Sequence, residues 1–169
     1  MSKIQLKKHL AALTKEEVIA LVLNLYDVKK EAKEYLDFIV NPNHNAKYRE
    51  YKQIISNEFY PKRGEPKLRF SICRSAISDF RKLKPQPIQL ADLMLFYIET
   101  GVEFTVEFGD MWEQYYDTLV TNFDKAMKVI TEFGLIKEFE PRIKKLLKSS
   151  ELCGWGFPEG LYDVYDEYQ

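Results

Sequence analysis

Apolar residues recur along this chain at three- and four-residue intervals, the period of helices that turn one face to a core. Ile4, Leu6, Leu10 and Leu13 open the pattern behind Ser2 and Gln5, whose spacing is that of a capping box. Thr14 and Glu17 make a second box, and Val18, Leu21, Val22 and Leu25 then form an apolar stripe over residues 15–26. A third helix is predicted over 28–40, with Ala32, Tyr35, Leu36 and Ile39 inward. Asn41-Pro42 stops it, because the residue before proline avoids the α region. Residues 46–59 read as a helix burying Tyr51, Ile54, Ile55 and Phe59, and 60–66 as a loop with Gly64 and two prolines. The next helix spans 67–83, with Ile72, Ala76, Phe80 and Leu83 on one face. Lys84-Pro85-Gln86-Pro87 breaks the chain, and Pro87 suits a first helical turn.

Residues 101–108 carry two patterns. Val102, Phe104, Val106 and Phe108 alternate with polar residues, as in a strand. Leu90, Met94, Tyr97, Gly101, Phe104 and Phe108 also keep helical spacing. A lone strand has no partner to pair with, so the prediction is helix. Asp110 is placed to cap a helix over 111–133, lined by Trp112, Tyr116, Leu119, Phe123, Met127 and Ile130, and Gly134 suits its end. Residues 135–148 follow, around Phe139, Ile143, Leu146 and Leu147, with Pro141 in the first turn. After a loop from Cys153 to Gly160, Leu161, Val164, Tyr165 and Tyr168 fit one short helix. The expected fold is all-α: a single domain over 1–169, an irregular helical bundle or short α-α superhelix of seven or eight helices. The acidic, aromatic tail 149–169 is expected to pack on the body.

The 169 residues suffice for one domain with a real core. A formal charge of −1 excludes a polycation and an acidic solvating chain. That total hides a sorting by blocks. Residues 61–85 hold 8 basic and 2 acidic side chains, whereas 86–124 hold 8 acidic and no basic ones. Residues 125–148 are again basic and 149–169 acidic. Cys73 and Cys153 are too far apart for a metal-type pair and too few for a disulfide framework. The longest apolar run, residues 18–23, falls far short of the roughly 20 residues of a membrane span. No signal-peptide pattern is visible at the start. A cytoplasmic protein without membrane contact is expected.

Several stretches together resemble a bacterial family, domain-of-unknown-function family 6155. They are Leu13-Thr-Lys-Glu16, Tyr35-Leu-Asp-Phe-Ile-Val-Asn-Pro42, Ala91-Asp-Leu-Met94, Gly101-Val-Glu-Phe-Thr105 and Phe108-Gly-Asp110. The resemblance covers about residues 1–148. It implies a small, mostly helical, bacterial cytoplasmic protein, and supplies no catalytic residue and no ligand.

Two constellations could carry chemistry. Lys67, Ser71, Arg74, Ser78 and Arg81 share one face of the predicted 67–83 helix, preceded by Lys62 and Arg63. Arginines with hydroxyls on one stripe suit phosphate oxygens, of nucleic acid or of a small ligand. The competing reading is a solvated face that pairs with the acidic block. In that block Asp92, Glu99, Glu103 and Glu107 share one helical face, and Asp110, Glu113, Asp117 and Asp124 the next. If the two faces met, Glu99, Glu103, Glu107, Asp110, Glu113 and Asp117 could hold a hard cation, or work as acid and base. His9 and His44, the only histidines, lie elsewhere, and the pattern implies no cofactor. There is no phosphate loop, nucleophile elbow or dinucleotide fingerprint. Lys47-Tyr48-Arg49-Glu50-Tyr51-Lys52 interleaves base and ring, as single-strand binders do, and as basic stems lying over tyrosines also do. The reading favoured by the blocks is a non-catalytic module that binds another protein or a second copy of itself through opposite charges. The alternatives are a nucleic-acid or phosphate-ligand binder and, third, a metal-dependent enzyme.

Overall fold

The computed structural model describes residues 2–168, and their regular structure is helical throughout. Among the described residues nine helices follow one another: α1 (Lys3–Ala11), α2 (Lys15–Val28), α3 (Lys30–Val40), α4 (His44–Phe59), α5 (Phe70–Lys82), α6 (Pro87–Phe108), α7 (Glu113–Glu132), α8 (Ile136–Ser150) and α9 (Phe157–Glu167). The fold is all-α as the spacing predicts, with nine helices rather than seven or eight. Internal contacts divide the chain into two compact units, Met1–Asn43 and His44–Gln169.

In the first unit both capping boxes form. Ser2 and Thr14 accept from the backbone N–H of Gln5 and Glu17, whose side chains accept in return from the cap N–H groups. α2 packs on α3, and the Tyr26 hydroxyl donates to Asp37 at 2.9 Å. Neither α1 nor α2 has a fully buried residue, and α3 buries only Phe38. Tyr35 and Ile39, expected inward, are exposed. A pair of short helices cannot enclose all its apolar side chains.

The second unit is built around α6, which packs on α4, α5, α7 and α8. Residues 101–108 are helical and close at Gly109, which takes φ +98. α6 buries side chains on most of its circumference, as a helix with neighbours on several sides must. Gly101 lies where α7 comes closest: a Cβ there would sit 2.7 Å from a Leu119 methyl. The Tyr115 hydroxyl, from α7, donates to the Gly101 carbonyl at 2.7 Å. α7 ends in a Schellman motif, with Gly134 at φ +66 and Leu135 N–H donating to Ile130 O. Aromatic rings fill the core edge to face: Phe59 on Phe104, Phe70 on Tyr115 and Tyr115 on Tyr116.

Four local expectations are corrected. α5 starts at Phe70, not at residue 67, because Leu68 takes φ +49 and the Lys67 and Leu68 N–H groups donate to the Glu58 carbonyl. Ile72 is partly exposed, and Cys73 and Ile77 are buried instead, since the core face of α5 is rotated toward them. Pro141 stands inside α8, a turn beyond the first, where its missing N–H leaves the helix one bond short. Asp110 does not cap α7, whose cap position is Trp112. Its carboxylate instead accepts the Tyr116 hydroxyl and the Gly154 N–H. That tie leads into α9, which begins at Phe157, packs on α7 and α8, and stacks Phe157 on Tyr116 at 4.8 Å.

Candidate functional site

The basic stretch does not form one stripe. It divides between two clefts. Lys62, Arg63 and Lys67 belong to the loop between α4 and α5 and border an open cleft of about 660 Å³. Arg69 and Glu58 line the same cleft but answer each other. Glu58, 5% exposed, accepts from the Arg69 backbone N–H, Nε and a terminal nitrogen, the last at 2.7 Å. The Arg69 guanidinium holds the Glu58 carboxyl below its ordinary pKa, against the opposing effect of burial. This pair staples the loop to α4, a role that no sequence pattern marks.

Arg74, Ser78 and Arg81 lie on one face of α5 and border a second cleft, of about 250 Å³, between α5, α6 and α7. Ser71, one turn earlier, is exposed and outside it. α7 adds Asn122 and Lys125, and α6 adds Met94 and Tyr97. Among the described residues no ion pair involves Arg74, Arg81 or Lys125, although one Arg81 nitrogen approaches the Met94 sulfur at 3.5 Å.

The acidic faces do not meet. Asp92 and Glu99 are clasped by Arg142 of α8, which reaches Glu99 at 2.9 and 2.6 Å and Asp92 through its other terminal nitrogen. Burial, and then its bond to Asp92, keep the Tyr48 phenol protonated, well above the usual range. Glu103 lies near Lys145 and Ser149, and burial, then the neighbouring Glu107 carboxylate, push the Tyr60 phenol up to about 12. Glu113 and Asp117 point to solvent, and Asp124 accepts the Tyr168 hydroxyl at 2.6 Å. Among the described residues no three His, Cys, Asp or Glu side chains converge as metal ligands. Lys52, from the interleaved segment, lies over the Phe96 ring at 4.3 Å and the Tyr48 ring at 5.5 Å, so that base and those rings satisfy each other internally.

The thiols offer no activated nucleophile. Burial, reinforced by the Glu58 charge, pushes Cys73 up to about 12. Burial and then the Asp110 charge push Cys153 up to about 11.

The first unit presents a different kind of surface. On α2, Ile19, Leu21, Val22, Leu23, Leu25 and Val28 are each between 39% and 63% exposed. No charged side chain interrupts residues 18–26. Periodicity marks Leu21, Val22 and Leu25 as part of a stripe, but suggests a buried face rather than an open one, and it leaves out Ile19, Leu23 and Val28.

A model of the family of unknown function DUF6155 matches residues 1–169, the whole chain. The chain belongs to DUF6155. The match includes the aromatic tail, beyond the 1–148 over which the resemblance is legible in the residues. No curated protein and no solved structure matches. For this DUF6155 chain, no helix among the described residues is long and apolar enough to cross a membrane.

Proposed function

We propose that the chain is a non-catalytic protein-interaction module that associates with a second copy of itself through α2. The supporting observation is the set of six exposed aliphatic side chains on that one helix. A helix apolar around most of its girth belongs in a covered position, and a contiguous exposed apolar patch marks an interaction surface. Its uncharged stretch, 18–26, can lie against its own copy without opposing like charges, as a two-fold interface requires. Opposite charge blocks carry less of this reading, since Arg142 already answers Asp92 and Glu99 within the chain. The same reading sets the module in the bacterial cytoplasm, which two widely separated cysteines support.

Light scattering on the intact chain across a concentration series tests this. The wild type should approach twice its monomer mass. Leu21→Glu with Leu25→Glu should remain a monomer while keeping the wild-type helical circular dichroism, because both positions are exposed. A wild-type monomer throughout, or a dimer indifferent to these substitutions, contradicts the reading.

A further inference from the structure

The cleft between α5, α6 and α7 holds an unpaired donor at its floor. Tyr97 is 0% exposed, its ring packed near Phe59 and Phe70, yet its hydroxyl finds no acceptor for its hydrogen, since the neighbouring Arg74 guanidinium can only donate to it. A buried polar group without a partner costs stability unless something else supplies the bond. Its surroundings specify what that would be. Arg74, Arg81 and Lys125 border the cleft and no carboxylate does. Ser78 offers a hydroxyl. Asn122 spends an amide hydrogen on the Thr118 carbonyl and keeps another donor.

The geometry points to a binding site for a small phosphorylated molecule, its phosphate held by Arg74, Arg81 and Lys125 and by the Tyr97 hydroxyl. Arginine presents paired donors that match phosphate oxygens. Burial raises the phenol pKa, with the charge and hydrogen bond of Arg74 opposing it, so Tyr97 stays protonated and keeps a hydrogen to donate. At about 250 Å³ the cleft is smaller than the pockets of drug-sized ligands, roughly 300–1,000 Å³. The side chains of Ile77 and Met94 add an apolar wall, which suits a short organic portion beside the phosphate. This inference is independent of self-association, since every residue it uses lies in the second unit. It also narrows the sequence-level stripe. Lys62, Arg63, Lys67 and Ser71 take no part, while Tyr97, Asn122 and Lys125 join.

Calorimetric titration of the intact chain at low ionic strength tests it, with inorganic phosphate, phenyl phosphate and a single-stranded oligonucleotide as probes. Phenyl phosphate should bind saturably at one site and more tightly than inorganic phosphate. Arg81→Gln should weaken it by about tenfold or more, the loss of one charge-assisted bond. Tyr97→Phe should weaken it by about tenfold while the unliganded protein melts close to wild type, because the hydroxyl hydrogen has no acceptor there and Arg74, at the cleft, can turn to water. Lys62→Gln, in the other cleft, should leave it unchanged. Absence of saturable binding by both phosphate probes overturns the proposal. So does binding that neither Arg81→Gln nor Tyr97→Phe alters. Tighter binding of the oligonucleotide, weakened as much by Lys62→Gln as by Arg81→Gln, would replace the small ligand with nucleic acid.

Discussion

Glu58 shows how one side chain can set where a helix begins. Its carbonyl takes the N–H groups of Lys67 and Leu68, its carboxylate takes three donors of Arg69, and α5 cannot start before Phe70. Glu58→Gln keeps the shape and removes the charge, so it should cost about 2 kcal/mol at neutral pH, the range of hydrogen bonds to charged groups. The sign of the pH dependence follows from the lowered pKa. The stabilisation is complete above the ordinary value of 4.5 and is lost as pH falls through the lower value of the folded state. Urea denaturation of both proteins should therefore show a gap at pH 7 that narrows toward about pH 3. An equal gap at both pH values would contradict this role. Nothing in the sequence marks Glu58, because its partners are local in space and depend on the loop turning back at Leu68. Tyr97 escapes notice for a similar reason. It reads as one more core aromatic, and the missing acceptor for its hydroxyl hydrogen shows only once α5 and α7 are in place.

The helices themselves were legible at the scale of single elements, since period, caps and breakers all act locally. Ser2, Thr14, Gly134 and the Pro85–Pro87 break each do what their chemistry predicts. The strand-like alternation at 101–108 gives way because α6 has neighbours on several sides, so that residues on opposing faces are buried together. Gly101 is then explained by packing rather than by a turn. The fully buried side chain of Leu119 occupies the space a Cβ would need. Gly101→Val should cost about 3 kcal/mol, the upper range for overpacking a well-filled core, read as a lowered thermal midpoint. A variant that melts like wild type would mean α6 and α7 can separate without cost. Helix ends were less legible where tertiary bonds override local signals, as at Asp110, which serves Tyr116 and Gly154 rather than a cap.

The charge blocks look different in the whole molecule from how they look along the chain. Among the described residues no ion pair joins 61–85 to 86–124; the acidic block is answered by Arg142 from the later basic segment. Residues within 61–85 pair locally, Lys82 with Asp79, or backward in the chain, Arg69 with Glu58. Among the described residues Arg74, Arg81 and Lys125 around Tyr97 make no ion pair, and the aliphatic side chains of α2 are exposed. Block charge along the chain therefore does not translate into ion pairs between neighbouring blocks. The measurement that separates an apolar interface from a charged one most directly is sedimentation equilibrium of the intact chain at low and at high salt. An interface made by α2 predicts a dimer whose affinity is unchanged or strengthened at high salt, because apolar burial is not screened. A monomer under both conditions, or a dimer that dissolves as salt rises, would contradict it.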